Sequence, residues 1–413
     1  MICRLKCQNM SNSAAYGKTI YLDYAATSPT DPEVLEKMRP YFSPQYGNPS
    51  SLYQSGRRAN RIIELCREDA AKIINASPGE IIFTGSGTES DNLAILGAAR
   101  ANRSAGNHVI VSAIEHKAVL ESAKELEQEG FKVAYLPVDK SGRADPKELA
   151  RAIRPETILV SVMYANNEIG TVEPIKEIAE AINKKRKSGG AFPIFHTDAC
   201  QAAGYLPLDV KKLGADLMTL NGSKIYGPKG IGALYVKKRT KLAPIILGGE
   251  QESGLRAGTE SVPLIVGFAE ALRKAQESRE EESKRISTLR DYFEKRLKEE
   301  IPNILINGDP KSRLPNNLHV SIPNIEGESM LLLLDNYGIE ASTGSACSAK
   351  SLSPSHVLLA IGQSPELAHG SIRFTLGKYT SKDDLDYVIL IFPEIVRRLE
   401  STSALTLKSQ KQK

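Results

Sequence analysis

Between residues 80 and 240 the chain alternates two textures, and this alternation restricts the fold more than any other feature. Short apolar runs rich in Val and Ile occur at EIIFT (80–84), HVIVSA (108–113), KVAYLPV (132–138), TILVSVMYA (157–165), FPIFHTDA (192–199), ADLMTLNG (215–222) and GALYV (232–236). Helical stretches such as ESDNLAILGAARAN and HKAVLESAKELEQEG lie between them. Strands that alternate with helices build βαβ units, and these make a mainly parallel sheet because parallel neighbours need a crossover. The expected fold class is therefore α/β. In such sheets ligands sit at the carboxyl ends of the strands, so the residues just after each run carry the functional argument.

After about residue 262 the texture changes. A long charged stretch, FAEALRKAQESREEESKRISTLRDYFEKRLKEEI, has apolar residues at helical spacing, and it is followed by the shorter strands NNLHVSI and GSIRFTLG and a last helix. This reads as a smaller α+β domain. The expected organisation is a disordered lead-in over 1–17, a large domain over 18–262, a small domain over 263–401 and a disordered tail over 402–413. Residues 18–35 can pack with the smaller domain.

Bulk properties narrow the function. A formal charge of +5 over 413 residues is mild, and its local clusters, NKKRK at 183–187 and VKKRTK at 236–241, contain no interleaved aromatics. They read as solvated loops, and no direct nucleic-acid contact is expected. No apolar run approaches the ~18 residues of a membrane helix. The first residues lack the apolar core of a secretory signal. The five cysteines, Cys3, Cys7, Cys66, Cys200 and Cys347, are scattered without a C-x-x-C pair, so neither a zinc site nor a dithiol redox motif is indicated and no metal is assigned. A reducing, cytoplasmic setting is expected. Cys66 lies in a helical apolar pattern and Cys200 just after a strand, so both are expected to be buried. Cys347 is different. It sits in TGSACSAKSLSP (343–354), a run of small polar residues that cannot build a core. A thiol in a surface loop is placed for reactivity.

Three strand ends carry chemistry. In LNGSKIYGPKGIG (220–232) Lys224 follows a strand and opens a Gly/Pro-rich loop. Held and partly desolvated, its amine could form a Schiff base; a solvated surface lysine stays open on this stretch alone, and Lys229 is the local competitor. In FTGSGTESDNLAI (83–95) a turn leads from strand to helix, and Gly87 and Thr88 would point amides and a hydroxyl at a phosphate. The alternative is that the glycines form the turn and Thr88 caps the helix. In FHTDACQAAG (195–204) Asp198 ends a strand and Gln201 follows three residues later, a spacing that also fits a capping box. Together the three supply what pyridoxal phosphate needs: a lysine for its aldehyde, an acid for its ring nitrogen and a cradle for its phosphate.

The sequence resembles the cysteine desulfurases within the fold-type I pyridoxal-phosphate enzymes. The motifs YLDYAAT, GNPSS, GTESDNLAI, EHKAVL, NNEIGTV, DACQ, SKIYGPKGIGALYV, GLRAGTES and SACSA carry the resemblance across nearly the whole chain. It implies a large domain with a mainly parallel sheet flanked by helices, a smaller α+β C-terminal domain and pyridoxal 5'-phosphate as cofactor. By position, Lys224 matches the Schiff-base lysine, Asp198 the partner of the ring nitrogen and Gln201 a donor to the ring oxygen. Gly87 and Thr88 match the phosphate cradle, and His116 the histidine that stacks on the ring and handles protons. Asn167 matches a cofactor and substrate contact, and Arg373 the guanidinium that clamps the substrate carboxylate. Thr259 matches a phosphate contact from a second subunit, which implies a homodimer. Cys347 matches the acceptor thiol, in a loop of 341–354 like the longer form of the family. Asn221 and Ser223 stand where relatives carry Ser and His; both are taken as phosphate contacts.

The implied reaction takes sulfur from L-cysteine, gives L-alanine and leaves a persulfide on Cys347. That sulfur would go to an acceptor protein, either a cluster scaffold in iron–sulfur assembly or a carrier for tRNA thiolation, with Cys347 a potential contact to a cluster. Rival readings are a selenocysteine lyase or another enzyme of the same fold, such as an aminotransferase. A non-catalytic scaffold would not need Lys224, Asp198, His116, Arg373 and Cys347 together.

Overall fold

The computed structural model describes residues 19–186, 190, 192–344 and 354–402, so Cys347, Cys3 and Cys7 lie outside the described residues. The chain forms two compact units. One comprises Thr27–Asn166 and Thr171–Glu281; the other comprises the described parts of Met1–Ala26, Asn167–Gly170 and Glu282–Lys413. Among the described residues, no helix is long and apolar enough to cross a membrane.

The strand β1 (Ile20–Tyr21) belongs to the second unit, and the first unit begins its sheet at β2 (Ile81–Thr84). There follow β3 (His108–Ser112), β4 (Lys132–Leu136), β5 (Thr157–Ser161), β6 (Ile194–Asp198), β7 (Leu217–Asn221) and β8 (Gly232–Val236). They form one seven-stranded sheet in the order β2-β8-β7-β6-β5-β3-β4. From β4 through β7 every neighbour is parallel, while β8 runs antiparallel between β7 and β2. Each apolar run became a strand for the expected reason. β3, β5 and β6 are buried at every residue, as strands covered on both faces must be. β4, at the edge, exposes Lys132 and Tyr135.

The topology fixes where a ligand can sit. From β3 the chain goes outward to β4, then crosses back to β5 on the other side. The sheet therefore opens at the carboxyl end of β3, a topological switch point. The register places Thr84 opposite Gly232 and Asn221 also opposite Gly232, so the turn after β2 and the turn after β7 share that edge. Asp198, opposite Thr219, lies on the same side.

In the second unit, β10 (Asn317–Ser321) is central in an antiparallel sheet between β9 (Leu305–Asn307) and β12 (Ser371–Thr375). A short parallel pair joins β1 to β11 (Ile339–Glu340). Ile20 and Leu22 enter a core that includes Ile286, Phe293, Leu318, Phe374 and Phe392. Phe374 packs edge-on against both Phe293 and Phe392, at centroid distances of 5.3 Å. The long charged stretch is two helices, Val262–Glu277 in the first unit and Arg279–Glu300 running into the second. The break falls at Ser278, whose amide and hydroxyl both turn back to the Lys274 carbonyl. A serine that satisfies itself locally interrupts a helix without Pro or Gly, so periodicity alone gives no warning.

Candidate active site

The turn after β2 is fixed by its own side chains. Ser86, not Thr88, caps the helix that starts at Gly87, accepting from the Glu89 amide at 3.1 Å. Thr88 is thereby left exposed on the first turn. Glu89 also takes the Gly85 amide at 2.8 Å, which fixes the turn. A β-carbon at Gly87 would meet the Cys200 sulfur at 2.8 Å and the Asn221 side chain at 3.2–3.3 Å, so only glycine fits there. These contacts bring the turn at Gly87, Cys200 two residues after Asp198 and the end of β7 into one place.

The loop that carries Thr259 is tied to the same turn. Arg256 Nε donates to Glu89 at 2.9 Å. Arg67 holds the buried Glu252 through two hydrogen bonds of 2.8 Å, and Glu252 accepts the Phe83 amide of β2 at 2.8 Å. Glu252 and Ser253 both adopt left-handed backbone angles, φ 47° and 59°, a cost that the bidentate arginine offsets. Thr259 itself is exposed on this loop.

Lys224 stands on a single 3-10 turn, Gly222–Lys224, directly after β7. One side chain grips the backbone on both sides of it. Ser28, itself buried, donates its hydroxyl to the Ser223 carbonyl at 3.0 Å and accepts the Tyr226 amide at 2.8 Å. The Ser28 amide also donates to the Ser223 carbonyl, at 2.8 Å. The competing Lys229 is exposed, and its ammonium is engaged by the Ser28 carbonyl at 2.8 Å. Asn221 and Ser223 are bonded to each other: Asn221 Oδ1 accepts the Ser223 amide at 3.1 Å and its hydroxyl at 3.2 Å. The Asn221 Nδ2 lies 3.3 Å from where a Gly87 β-carbon would be.

Asp198 is 6% exposed at the end of β6, and its Oδ1 accepts the Cys200 amide at 2.8 Å. Residues 199–206 form turns rather than a helix, so the capping-box spacing of Asp198 and Gln201 is not used as a cap; Gln201 is half-buried beside it. Acids surround Asp198. Burial, then the Asp198 charge, push the carboxyls of Asp91 and Glu115 well above the ordinary range. Burial, then Asp198 and Asp91, push the Cys200 thiol well up, while Lys224 acts on it in the opposite sense. Behind them the buried His196 bonds Ser161 at 2.9 Å and Thr219 at 3.1 Å, and burial holds it down at about 4. It is therefore neutral, and its 3.6 Å approach to Asp91 is not an ion pair.

His116 opens the helix Lys117–Gln128 at the switch point, with Nδ1 accepting the Ala118 amide at 3.1 Å. That bond assigns the ring proton to Nε2, on the far side of the ring.

In the second unit Arg373 lies in the middle of β12 and is 2% exposed. Nη2 donates to Asp23 at 2.7 Å and Nη1 to the main-chain carbonyl of Asn167 at 2.7 Å. Nε is a buried donor with no hydrogen-bond partner among the described residues. Sequence reasoning missed Asp23, Ser28, Asp91 and Glu115. Asp23 and Asp91 lie inside the quoted motifs YLDYAAT and GTESDNLAI, and Glu115 directly precedes His116, so position within a motif was the available signal.

Known proteins are similar to this chain over most of its length. The aminotransferase class-V family matches residues 20–388. A protein named cysteine desulfurase IscS from Dictyoglomus turgidum is 50% identical over 386 residues, covering 94% of this chain and 96% of the relative. A cysteine desulfurase from Rattus norvegicus is 44% identical, covering 96% of this chain and 86% of the relative. The solved structure of a NifS-like protein superposes with a TM-score of 0.86 at 38% identity, covering 92% of this chain and all of the other.

Proposed function

The chain belongs to the pyridoxal-phosphate-dependent cysteine desulfurases of the aminotransferase class-V family, and we propose which of its residues do what in that activity. The observation that carries the assignment is the placement of Lys224: a lysine pinned at the end of β7, beside a cradle only glycine can line and within electrostatic reach of the pocket of Asp198. The donor set fits the cofactor. Gly87, Thr88 and the Asn221 amide would take the phosphate, with Ser223 orienting Asn221. Lys224 would hold the aldehyde, Asp198 would face the ring nitrogen, and Gln201 would donate to the ring oxygen. When bound, pyridoxal phosphate supplies a covalent carbonyl anchor and a ring that accepts electrons from the substrate's α-carbon.

The chain's own groups do the rest. Arg373 binds the carboxylate of L-cysteine through its free edge, and Asn167 contacts substrate and cofactor. The Lys224 amine moves the α-proton, and His116 Nε2 supplies a proton on the far face. The Cys347 sulfur bonds the substrate sulfur as the substrate's carbon–sulfur bond breaks. L-cysteine and the Cys347 thiol thus become L-alanine and a Cys347 persulfide. The sulfur then passes to an acceptor protein, a cluster scaffold or a carrier for tRNA thiolation, in the cytoplasm. Thr259 would complete the cradle of a second copy, which makes the active form a homodimer.

Two variants test the assignment. Lys224→Ala should abolish both the visible absorbance of bound cofactor and turnover. Cys347→Ser should keep that absorbance and its change on adding L-cysteine but form no protein persulfide. Full activity in Lys224→Ala, or a persulfide mapped chiefly to Cys66 or Cys200 in the parent, would overturn it.

A further inference from the structure

The two tasks proposed for Lys224 make different demands on its backbone. Holding the cofactor's aldehyde needs reach, which a flexible four-carbon stem supplies. Moving the α-proton needs the amine at one place, because proton transfer requires hydrogen-bond distance and alignment. A flexible side chain meets that second demand only from a fixed root. The root here is a three-residue turn with little bonding of its own. Ile225 and Gly227 both return their amides to the Gly222 carbonyl, at 3.2 and 3.0 Å. Between them Tyr226 is left-handed, with φ 61°, a costly conformation for a residue with a β-carbon.

What holds this turn comes from residues 28–31. Ser28 is 1% exposed. Its amide and its hydroxyl both donate to the Ser223 carbonyl, at 2.8 and 3.0 Å, and that carbonyl belongs to the peptide bond that enters Lys224. The same hydroxyl accepts the Tyr226 amide at 2.8 Å, two residues past the lysine. One oxygen therefore bridges Lys224, donating on one side and accepting on the other, which a hydroxyl can do and a methyl cannot. Neighbouring groups extend the contact. The Thr30 hydroxyl donates to the Gly227 carbonyl at 3.4 Å, and the Asp31 amide to the Tyr226 carbonyl at 2.9 Å. Lys229 Nζ donates to the Ser28 carbonyl at 2.8 Å, so the lysine that competes with Lys224 in the sequence helps to brace it.

Taking Lys224 as the cofactor lysine assigned above, we propose that Ser28 is its positioning residue: the Ser28 hydroxyl fixes the backbone on both sides of Lys224 so that the freed amine meets the α-proton. Without the hydroxyl, the Ser223 carbonyl keeps the Ser28 amide, but the Tyr226 amide loses its acceptor. The left-handed residue then lacks the bond that offsets its strain. The long side chain still reaches the cofactor. The loss therefore falls on proton transfer, not on the binding of cofactor or substrate.

The first measurement is reductive trapping of the cofactor in the holoenzyme, with the modified lysine mapped by mass spectrometry. Trapping on Lys229 would overturn both this proposal and the assignment beneath it. With Lys224 trapped, two quantities decide on Ser28 alone. Amide hydrogen exchange over residues 222–229 in Ser28→Ala should be about tenfold faster than in the parent, the scale of one lost hydrogen bond. In single turnover of the holoenzyme with L-cysteine, loss of the α-proton should slow about tenfold, and the rate ratio between ordinary and α-deuterated L-cysteine should rise. The half-saturating cysteine concentration and the amplitude of the cofactor absorbance should match the parent. Ser28→Thr, which keeps the hydroxyl, should restore the parent values. Parent-like exchange in Ser28→Ala, or a parent-like rate with an unchanged isotope ratio, would overturn the proposal. So would a loss of cysteine binding as large as the loss of rate, which a general loosening of the fold would produce. Should Ser28→Ala fail to fold, Ser28→Cys, whose thiol is the weaker donor and acceptor, decides by the same readouts.

Discussion

Asp198 at the end of β6 and Arg373 in the middle of β12 are both ionisable and both withdrawn from water, yet their surroundings are opposite. Around Asp198 the structure gathers further acids, Asp91, Glu115 and the Cys200 thiol, and its charge helps keep their protons on. Arg373 has a resident counter-ion in Asp23 and a carbonyl from Asn167, and among the described residues Nε has no hydrogen-bond partner. Burying a charge is costly unless it is paired. The arginine is paired within the fold, and in the proposed role its remaining donor would meet a substrate. The aspartate is set among acids that are pushed toward their protonated, neutral forms, and in the proposed role its complement would come from the cofactor's ring nitrogen. Under that proposal one site is paired before it binds anything, and the other would be completed by what it binds.

The comparison breaks first, and most visibly, at Asp198. Asp198→Asn should lower kcat about a thousandfold, ~4 kcal/mol of transition-state stabilisation, the upper range for losing one preorganised electrostatic partner. The cofactor-free protein should at the same time become more stable, because a buried acid crowded by Asp91, Glu115 and the Cys200 thiol is replaced by a neutral amide. Stability and activity moving in opposite directions is the signature of a site strained for function. Activity within tenfold of the parent, or a lower melting temperature of the cofactor-free protein, would remove Asp198 from this role.

Asp23→Asn should do the reverse. Removing one partner of a buried pair leaves an uncompensated guanidinium and costs about 3 kcal/mol of stability. A ligand with a carboxylate then gains importance, since it replaces the lost counter-ion. L-alanine should raise the melting temperature of Asp23→Asn by more than it raises that of the parent. An equal or smaller rise would mean that Arg373 does not meet the amino acid's carboxylate.

Legibility in the sequence follows the same division. Strand–helix alternation marks the carboxyl ends of β2, β6 and β7, so Gly87, Asp198 and Lys224 could be singled out from local pattern. His116 and Arg373 had no local signature and came only from the family resemblance. Asp91 and Glu115 matter because they face Asp198, about a hundred residues away in sequence. Periodicity records that such residues are polar, not what they face. Local rules also offered false readings. Thr88 is not the helix cap because Ser86 takes that place, and the Asp198–Gln201 spacing caps nothing because a turn follows. Likewise Ile20 and Tyr21 pair with Ile339 and Glu340, a partnership between chain ends that no short window contains.

The smallest effect, and the one that probes the acids directly, is the pH dependence of stability. The buried His196 and His319 are held down at about 4 and about 3, below the ~6.5 of an unfolded chain. Between roughly pH 4 and 6.5 the unfolded chain therefore binds more protons at these sites, and their contribution to stability is lost as the pH falls through that window. Asp91 and Glu115 act with the other sign. Their native carboxyls keep protons that the unfolded chain releases above about pH 4, so their contribution is lost as the pH rises. The two pairs oppose one another between about pH 4 and 6.5. Asp91→Asn removes one acid while Glu115, Asp198, His196 and Thr219 still face the position. The slope of stability against pH should then become more positive than in the parent, by up to ~1.4 kcal/mol per pH unit. Urea unfolding from pH 5 to 8 measures it, and the difference between variant and parent isolates Asp91 from every other titrating group. Coincident slopes would mean that Asp91 is ionised in the fold as it is in the unfolded chain.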